Sequence, residues 1–295
     1  MQIKSLSESF NQLIDPESQI KLIGDSFRFT EGPVWNSEKQ FLLFSDIPEN
    51  RIYSWKESSG VTVYREGSHF SNGLTYDNNG FLIACEHERR AISRDIDGYV
   101  EPVVKEYQNQ KLNSPNDVIV SKDGSIIFTD PTYGLRVGMG GPAEQELPFQ
   151  GVFRIPPDSS ELELLTDSLE RPNGVALSVD ENQLYVTDTV RQHIRIFNVQ
   201  NGWQVTGGEV WAELWDDEHS GRPDGIKLDR LGNVFCTGPG GVWIFNPEAV
   251  LIGRIYFPEN TSNLAWGEDG HSLFITSSNK VYKIRCETSG KIPGK

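Results

Sequence analysis

One short phrase, written six times, constrains this chain more than any other feature. The copies read EGPVWNSEKQFLLFSD from Glu31, NGLTYDNNGFLIACE from Asn72, NDVIVSKDGSIIFTD from Asn116, NGVALSVDENQLYVTD from Asn173, DGIKLDRLGNVFCTG from Asp224 and NLAWGEDGHSLFITS from Asn263. Their starts lie 41, 44, 57, 51 and 39 residues apart, and self-similarity at a period of roughly 40 to 50 residues marks propellers and repeat arrays. Within each copy a short alternating strand meets a turn such as DNNG, SKDG or DRLG, and a second strand then ends in a small polar pair.

Further strands follow in phase. A third reads RIYSW (51–55), AISRD (91–95), GVFRI (151–155), HIRIF (193–197), GVWIF (241–245) and KVYKI (280–284). A fourth reads VTVYRE (61–66), VEPVVKE (100–106), LELLTD (162–167), QVTGGEVWAE (204–213) and LIGRIYF (251–257), and the sixth copy has none. The segment IKLIGD (20–25) precedes the first copy without a blade of its own. Joining it to the last copy closes the array and removes its open edges. The sequence therefore predicts an all-β fold, a six-bladed β-propeller spanning 1–295 as one domain, its last blade closed by an N-terminal strand. A sandwich of irregular repeats would not account for six phased copies with one strand missing at the end.

Composition narrows the function. A formal charge of −15, with no Lys/Arg cluster, excludes sequence-independent binding to nucleic acid, which relies on a basic surface. Cys85, Cys236 and Cys286 are odd in number and lack CxxC spacing, so neither a disulfide framework nor a zinc knuckle is indicated. The first thirty residues lack a signal-peptide core and no window approaches a membrane span. The expectation is a cytoplasmic protein without membrane contact, a monomer or homodimer.

In a propeller the first strand of each blade lines the central channel, so the residue opening each copy stands at its mouth. That column is Glu31, Asn72, Asn116, Asn173, Asp224 and Asn263, an oxygen-bearing side chain every time. Buried oxygens without partners cost about 1–3 kcal/mol each, and charges more. A divalent cation would satisfy them, and carboxylate and amide oxygens favour Ca²⁺ or Mg²⁺ over softer metals. A ring of waters and mutual hydrogen bonds is the alternative.

The loops between second and third strands return to the same mouth. They bring Asp46, Glu86, His87, Arg89, Arg90, Asp130, Tyr133 and Asp188 toward the ring. The longest of them, PTYGLRVGMGGPAEQELPFQ (131–150), is Gly-rich and has the length of a lid or binding loop. No Ser sits in a GxSxG elbow, which argues against a covalent triad.

Together EGPVW, NSPNDV, RPNGVALS and RPDGIKLD resemble the gluconolactonase-like family that includes regucalcin (senescence marker protein), from about Phe29 to Ile284. The resemblance implies one divalent metal, Ca²⁺ first with Mg²⁺, Mn²⁺ or Zn²⁺ as alternatives, held by Glu31, Asn173 and Asp224. It makes Asn116 a fourth ligand or a substrate contact. It also implies hydrolysis of a small sugar lactone such as gluconolactone, with Asp224 handling the water proton, and Asn72, His87, Asn116, Tyr133 and Asn263 are the candidates for substrate binding. The animal branch carries an Arg two positions before its ND pair where this chain has Ser114; Lys111, Arg136 or Arg90 could substitute. Hydrolysis of other esters or organophosphates, or a non-catalytic calcium-binding platform, are the competing readings. A polar pocket would favour the sugar lactone, an aromatic one the apolar ester.

Overall fold

The computed structural model describes residues 1–200 and 202–294. Six antiparallel sheets, each starting on a channel strand and stepping outward, form a six-bladed β-propeller. Blade 1 comprises Thr30–Asn36, Phe41–Asp46, Arg51–Lys56 and Gly60–Glu66. Blade 2 comprises Ser71–Tyr76, Leu82–Glu86, Ala91–Ile96 and Tyr99–Val104. Blade 3 comprises Val118–Val120, Ile126–Asp130, Gly151–Ile155 and Glu163–Thr166. Blade 4 runs from Pro172–Leu177 through Gln183–Asp188 and His193–Val199 to Val205–Glu213. Blade 5 contains Ile226–Leu228, Val234–Gly238, Gly241–Phe245 and Leu251–Tyr256.

Blade 6 takes three strands from the C-terminal end, Thr261–Gly267, Ser272–Ser277 and Lys280–Arg285. Its outer strand is Ile20–Gly24, paired antiparallel with Lys280–Arg285, so the ring closes through the N-terminal segment. Gln110–Lys111, paired in a short hairpin with Glu106–Tyr107 before blade 3, and one N-terminal strand were not anticipated. Gln2–Ser5 adds a fifth strand to blade 5, against Leu251–Tyr256, and a short turn of helix, Phe10–Gln12, bridges it to blade 6. Phe10, Leu13 and Ile14 are buried there, in the cluster that joins blades 5, 6 and 1. The motif has no repeat phase, so periodicity could not reveal it.

Apolar residues on both faces of the second strands fill the spaces between blades. Phe44 and Phe128 on one face and Phe235 and Phe274 on the other are fully buried, as expected for strands with a blade on either side. Hydroxyls stitch the channel. Ser45 Oγ donates to Asn72 O at 2.8 Å, Thr129 Oγ1 to Asn173 O at 2.6 Å and Thr187 Oγ1 to Asp224 O at 2.7 Å. In blades 1, 3 and 4 the small polar residue near the end of the second strand thus holds the opening residue of the following blade.

The glycine after four of the ring residues has a physical cause. A β-carbon on Gly32 would lie 2.0 Å from Asn72 O, and one on Gly174 2.2 Å from Asp224 O. Adjacent blades converge too closely there for any side chain. In blade 3 that position is Asp117 instead of glycine. All three cysteines are buried and free. Among the described residues no helix is long and apolar enough to cross a membrane.

Candidate active site at the channel mouth

Asn116 and Asp224 precede their strands, which begin only at Val118 and Ile226. Their backbones are fixed from the sides instead. Asn116 N donates to Thr129 O at 2.8 Å and Asp224 N to Thr237 O at 3.3 Å.

The ring amides form a directional chain. Asn72 Nδ2 donates to Asn116 Oδ1, Asn116 Nδ2 to Asn173 Oδ1 at 2.7 Å and Asn173 Nδ2 to Thr189 Oγ1 at 2.9 Å. Thr189 Oγ1 in turn donates to Pro223 O at 2.8 Å, next to Asp224. Asn263 Nδ2 donates to Glu31 Oε2 at 3.1 Å, while its Oδ1 accepts Leu264 N–H at 2.8 Å. Asn72 Oδ1 is buried and has no hydrogen-bond partner among the described residues.

Both ring carboxylates are destabilised as anions. Burial pushes Glu31 up to about 7, against the Gly32 N–H that it accepts, and Asp117 adds repulsion. Asp224 rises well above the usual carboxylate range through burial and through Glu31 and Asp117, with Asn173 and Lys227 opposing. The fit to a hard cation rests on this donor set: two carboxylates that repel each other, amide oxygens with a second lone pair, and one orphaned buried oxygen. Among the described residues no group of three or more His, Cys, Asp or Glu could hold a metal, so a cation here must use amide oxygens beside Glu31 and Asp224.

His87 is buried in the ring wall. Its Nδ1 lies 2.6 Å from Met139 O, an acceptor, so that nitrogen carries the proton and Nε2 faces Asn72 Nδ2 at 3.4 Å. Burial, with Arg136 nearby, brings it down to about 4. It is a neutral orienting group. Tyr133 Oη is buried without a partner among the described residues; burial and the nearby Asp224 push it up to about 12. The Arg171 guanidinium stands 5.3 Å over its ring, a contact the sequence did not suggest.

Several residues expected near the ring serve its frame instead. Asp46 accepts the N–H groups of Arg28 and Phe29 at 2.9 and 3.2 Å, Asp130 that of Asn113 at 2.7 Å, and Asp188 those of Glu170 and Arg171 at 2.7 and 3.2 Å. Each carboxylate shapes the segment leading into its own blade, setting Glu31, Asn116 or Asn173 a few residues later. Glu86 is buried and pairs with Arg89 at 3.4 Å. Arg90 donates to the carbonyls of Lys111, Leu112 and Asn113 and to Glu146, which commits it to structure.

Ser114 latches the long loop. Its Oγ donates to Pro131 O at 2.6 Å and accepts Gly134 N–H at 2.8 Å. A β-carbon on Gly134 would already lie 2.7 Å from Ser114 Cβ and 2.5 Å from His87 Cγ, so an Arg at 114 has no room. The loop 131–150 therefore walls one side of the mouth, tied by Met139 to His87 and by Glu146 to Arg90.

The opposite side holds a cavity of about 600 Å³ reaching Asp224. Phe29, Gln192, Trp215, Asp216, His219, Ser220, Arg222, Asn260 and Ser262 are among its lining residues. Most come from the irregular connections before blades 5 and 6, which lie outside the repeat and gave no sequence signal. The RP preceding Asp224 was the one available cue.

A propeller with an all-oxygen ring of two carboxylates and four amides, Asp224 of which borders a cavity, defines a class of channel-mouth site suited to a hard cation and a small molecule. Residues 29–279 match the family described as SMP-30/Gluconolactonase/LRE-like region, and the chain belongs to that family. It is 33% identical over 316 aligned positions to the gluconolactonase of Zymomonas mobilis subsp. mobilis, covering 98% of this chain and 87% of that protein. Among solved structures, a gluconolactonase from Xanthomonas campestris superposes with a TM-score of 0.92 at 34% identity, covering 97% of this chain and 95% of the other. A calcium-binding regucalcin from Agrobacterium tumefaciens shares the fold, with a TM-score of 0.78 at 14% identity over 94% and 96% of the two chains.

Proposed function

We propose that the protein hydrolyses a sugar lactone, an aldono-1,5-lactone such as gluconolactone, to the open aldonic acid, with one divalent cation, Ca²⁺ first, held by Glu31, Asn116, Asn173 and Asp224. The observation that carries this reading is the pair of mutually repelling carboxylates, Glu31 and Asp224, in a ring of amides, with Asp224 at the wall of an open cavity. The relatives from Zymomonas and Xanthomonas are gluconolactonases by name. A bound cation would supply Lewis-acid polarisation of the lactone carbonyl, worth several kcal/mol of barrier.

The chain's own groups handle the proton and the substrate. Asp224 accepts the proton of the attacking water as the new C–O bond forms at the carbonyl carbon. The ring C–O bond then breaks, and the same proton passes to the departing ring oxygen. Asp224 is placed for this by its position at the cavity wall. Tyr133 Oη and Asn72 Oδ1, both buried and unpartnered, suit the hydroxyls of a sugar, with Asn116, His87 and Asn263 framing them. Asp216, His219, Ser220, Arg222 and Asn260 in the cavity wall offer hydrogen-bonding groups to such a substrate, beside the apolar Phe29 and Trp215.

The test is pH-stat hydrolysis of a lactone panel by chelator-stripped protein with Ca²⁺, Mg²⁺, Mn²⁺ or Zn²⁺ added, beside Asp224→Ala and Glu31→Gln. Each substitution should lower kcat by roughly 10² or more. Metal-independent turnover that survives both changes would sink the mechanism. Retained metal binding without turnover of any lactone would favour a binding platform.

A further inference from the structure

Beneath the ring, inside the channel, one ion pair crosses between blades. Asp117 occupies the position that is glycine in four other blades and is buried. Its Oδ2 accepts Val175 N–H at 3.2 Å and lies 3.5 Å from Lys227 Nζ. Lys227 comes from the channel strand of blade 5, three residues after Asp224, and its Nζ also donates to Ile226 O at 3.0 Å. Glycine suffices for close blade approach, so neither charge is needed to close the ring.

The charges also act on the site above. Asp117 directly follows the ring residue Asn116, and Lys227 stands three residues after Asp224, so both charges lie close to the ring. Among the titratable neighbours, burial keeps the Cys85 and Cys236 thiols protonated and His87 neutral. With Glu31 and Asp224 ionised, three carboxylates against one ammonium leave two negative charges in the channel.

We propose that Asp117 and Lys227 form a charge-setting pair that matches the channel mouth to a divalent cation, Lys227 withholding the third negative charge that would otherwise favour a trivalent ion. The inference rests on the metal reading above. It assigns neither residue to the metal or to the reacting atoms; both act through the field at Glu31 and Asp224.

Calorimetric titration of chelator-stripped protein with Ca²⁺ and, by sensitised luminescence, with Tb³⁺ tests it without reference to activity. Lys227→Met should tighten Tb³⁺ binding roughly tenfold more than Ca²⁺ binding, and Asp117→Asn should weaken both, Tb³⁺ the more. The double variant keeps the original formal charge and should return the Tb³⁺/Ca²⁺ preference to within about threefold of the parent. A lost ion pair acting only through packing would leave that preference unchanged in all three variants, and this result overturns the proposal. Lys227→Arg, which keeps the charge, should bind like the parent. Failure of the parent protein itself to bind either ion would instead overturn the metal reading.

Discussion

At the scale of single residues, the ring shows two kinds of position: those whose side chain carries the chemistry and those whose missing side chain permits it. Gly174 is the second kind. A β-carbon there would sit 2.2 Å from Asp224 O and 2.9 Å from the backbone of Gly225, and backbone cannot rotate away as a side chain could. Gly174→Ala should therefore cost about 1–3 kcal/mol. It should also weaken cation binding more than Gly138→Ala in the exposed loop, as read by thermal melts with and without Ca²⁺.

Asp130 makes a pH-dependent prediction. Burial pushes it up to about 7 from an ordinary 3.8. Between those values the folded chain holds a proton that the unfolded chain releases, so this group's contribution is full below about pH 4 and is lost as pH rises to 7, by about 4 kcal/mol at most. Asn at this position keeps the oxygen that accepts Asn113 N–H. Urea melts from pH 4.5 to 8 should show a flatter stability profile in Asp130→Asn than in the parent; an unchanged slope would remove Asp130 as its source.

The ring residues were legible because the repeat fixes their phase, and chemistry then singles out their oxygens. Asp117 and Lys227 were not, since each reads as the ordinary polar member of an alternating strand. Their meeting across two blades is a product of closure. Arg90 shows the converse. Its charge near the mouth invited a substrate role, but the carbonyls of residues 111–113 take its donors.

At the scale of elements, the blades were readable and the connections were not. Blade strands repeat, so each copy supports the others; loops 131–150 and 214–225 occur once each, and their contacts depend on what the blades bring near them. Ser114 illustrates the cost of reading a loop from one end. As a departure from the family pattern it suggested a missing guanidinium, whereas it latches Pro131 and Gly134 beside His87. Ser114→Arg should dislodge that latch. The expected outcome is faster proteolytic nicking within 136–145 and a KM for lactone raised about tenfold, with kcat changed less. A KM equal to the parent's would separate the loop from substrate binding.

At the scale of the whole molecule, stability depends on a ring that must close, and its ends make unequal contributions. Ile20–Gly24 supplies the outer strand of blade 6, so without it the edge of Lys280–Arg285 lies open and the N- and C-terminal parts of the ring lose their shared sheet. Such an edge invites pairing with another chain. Gln2–Ser5 only adds a fifth strand outside a blade already complete, although Phe10, Leu13 and Ile14 behind it fill the cluster shared by blades 5, 6 and 1. Removing residues 1–5 should therefore leave a cooperative melt lowered by a few degrees, with lactone turnover retained. Phe10→Ala should cost more, about 3–5 kcal/mol, because a fully buried ring leaves a cavity against Gly253. Removing residues 1–24 should abolish the cooperative transition and give aggregated protein by size-exclusion chromatography. A monomeric, cooperatively melting product of that deletion would show that five complete blades and three strands hold the channel mouth without closure, and that the N-terminal strand is dispensable to the fold.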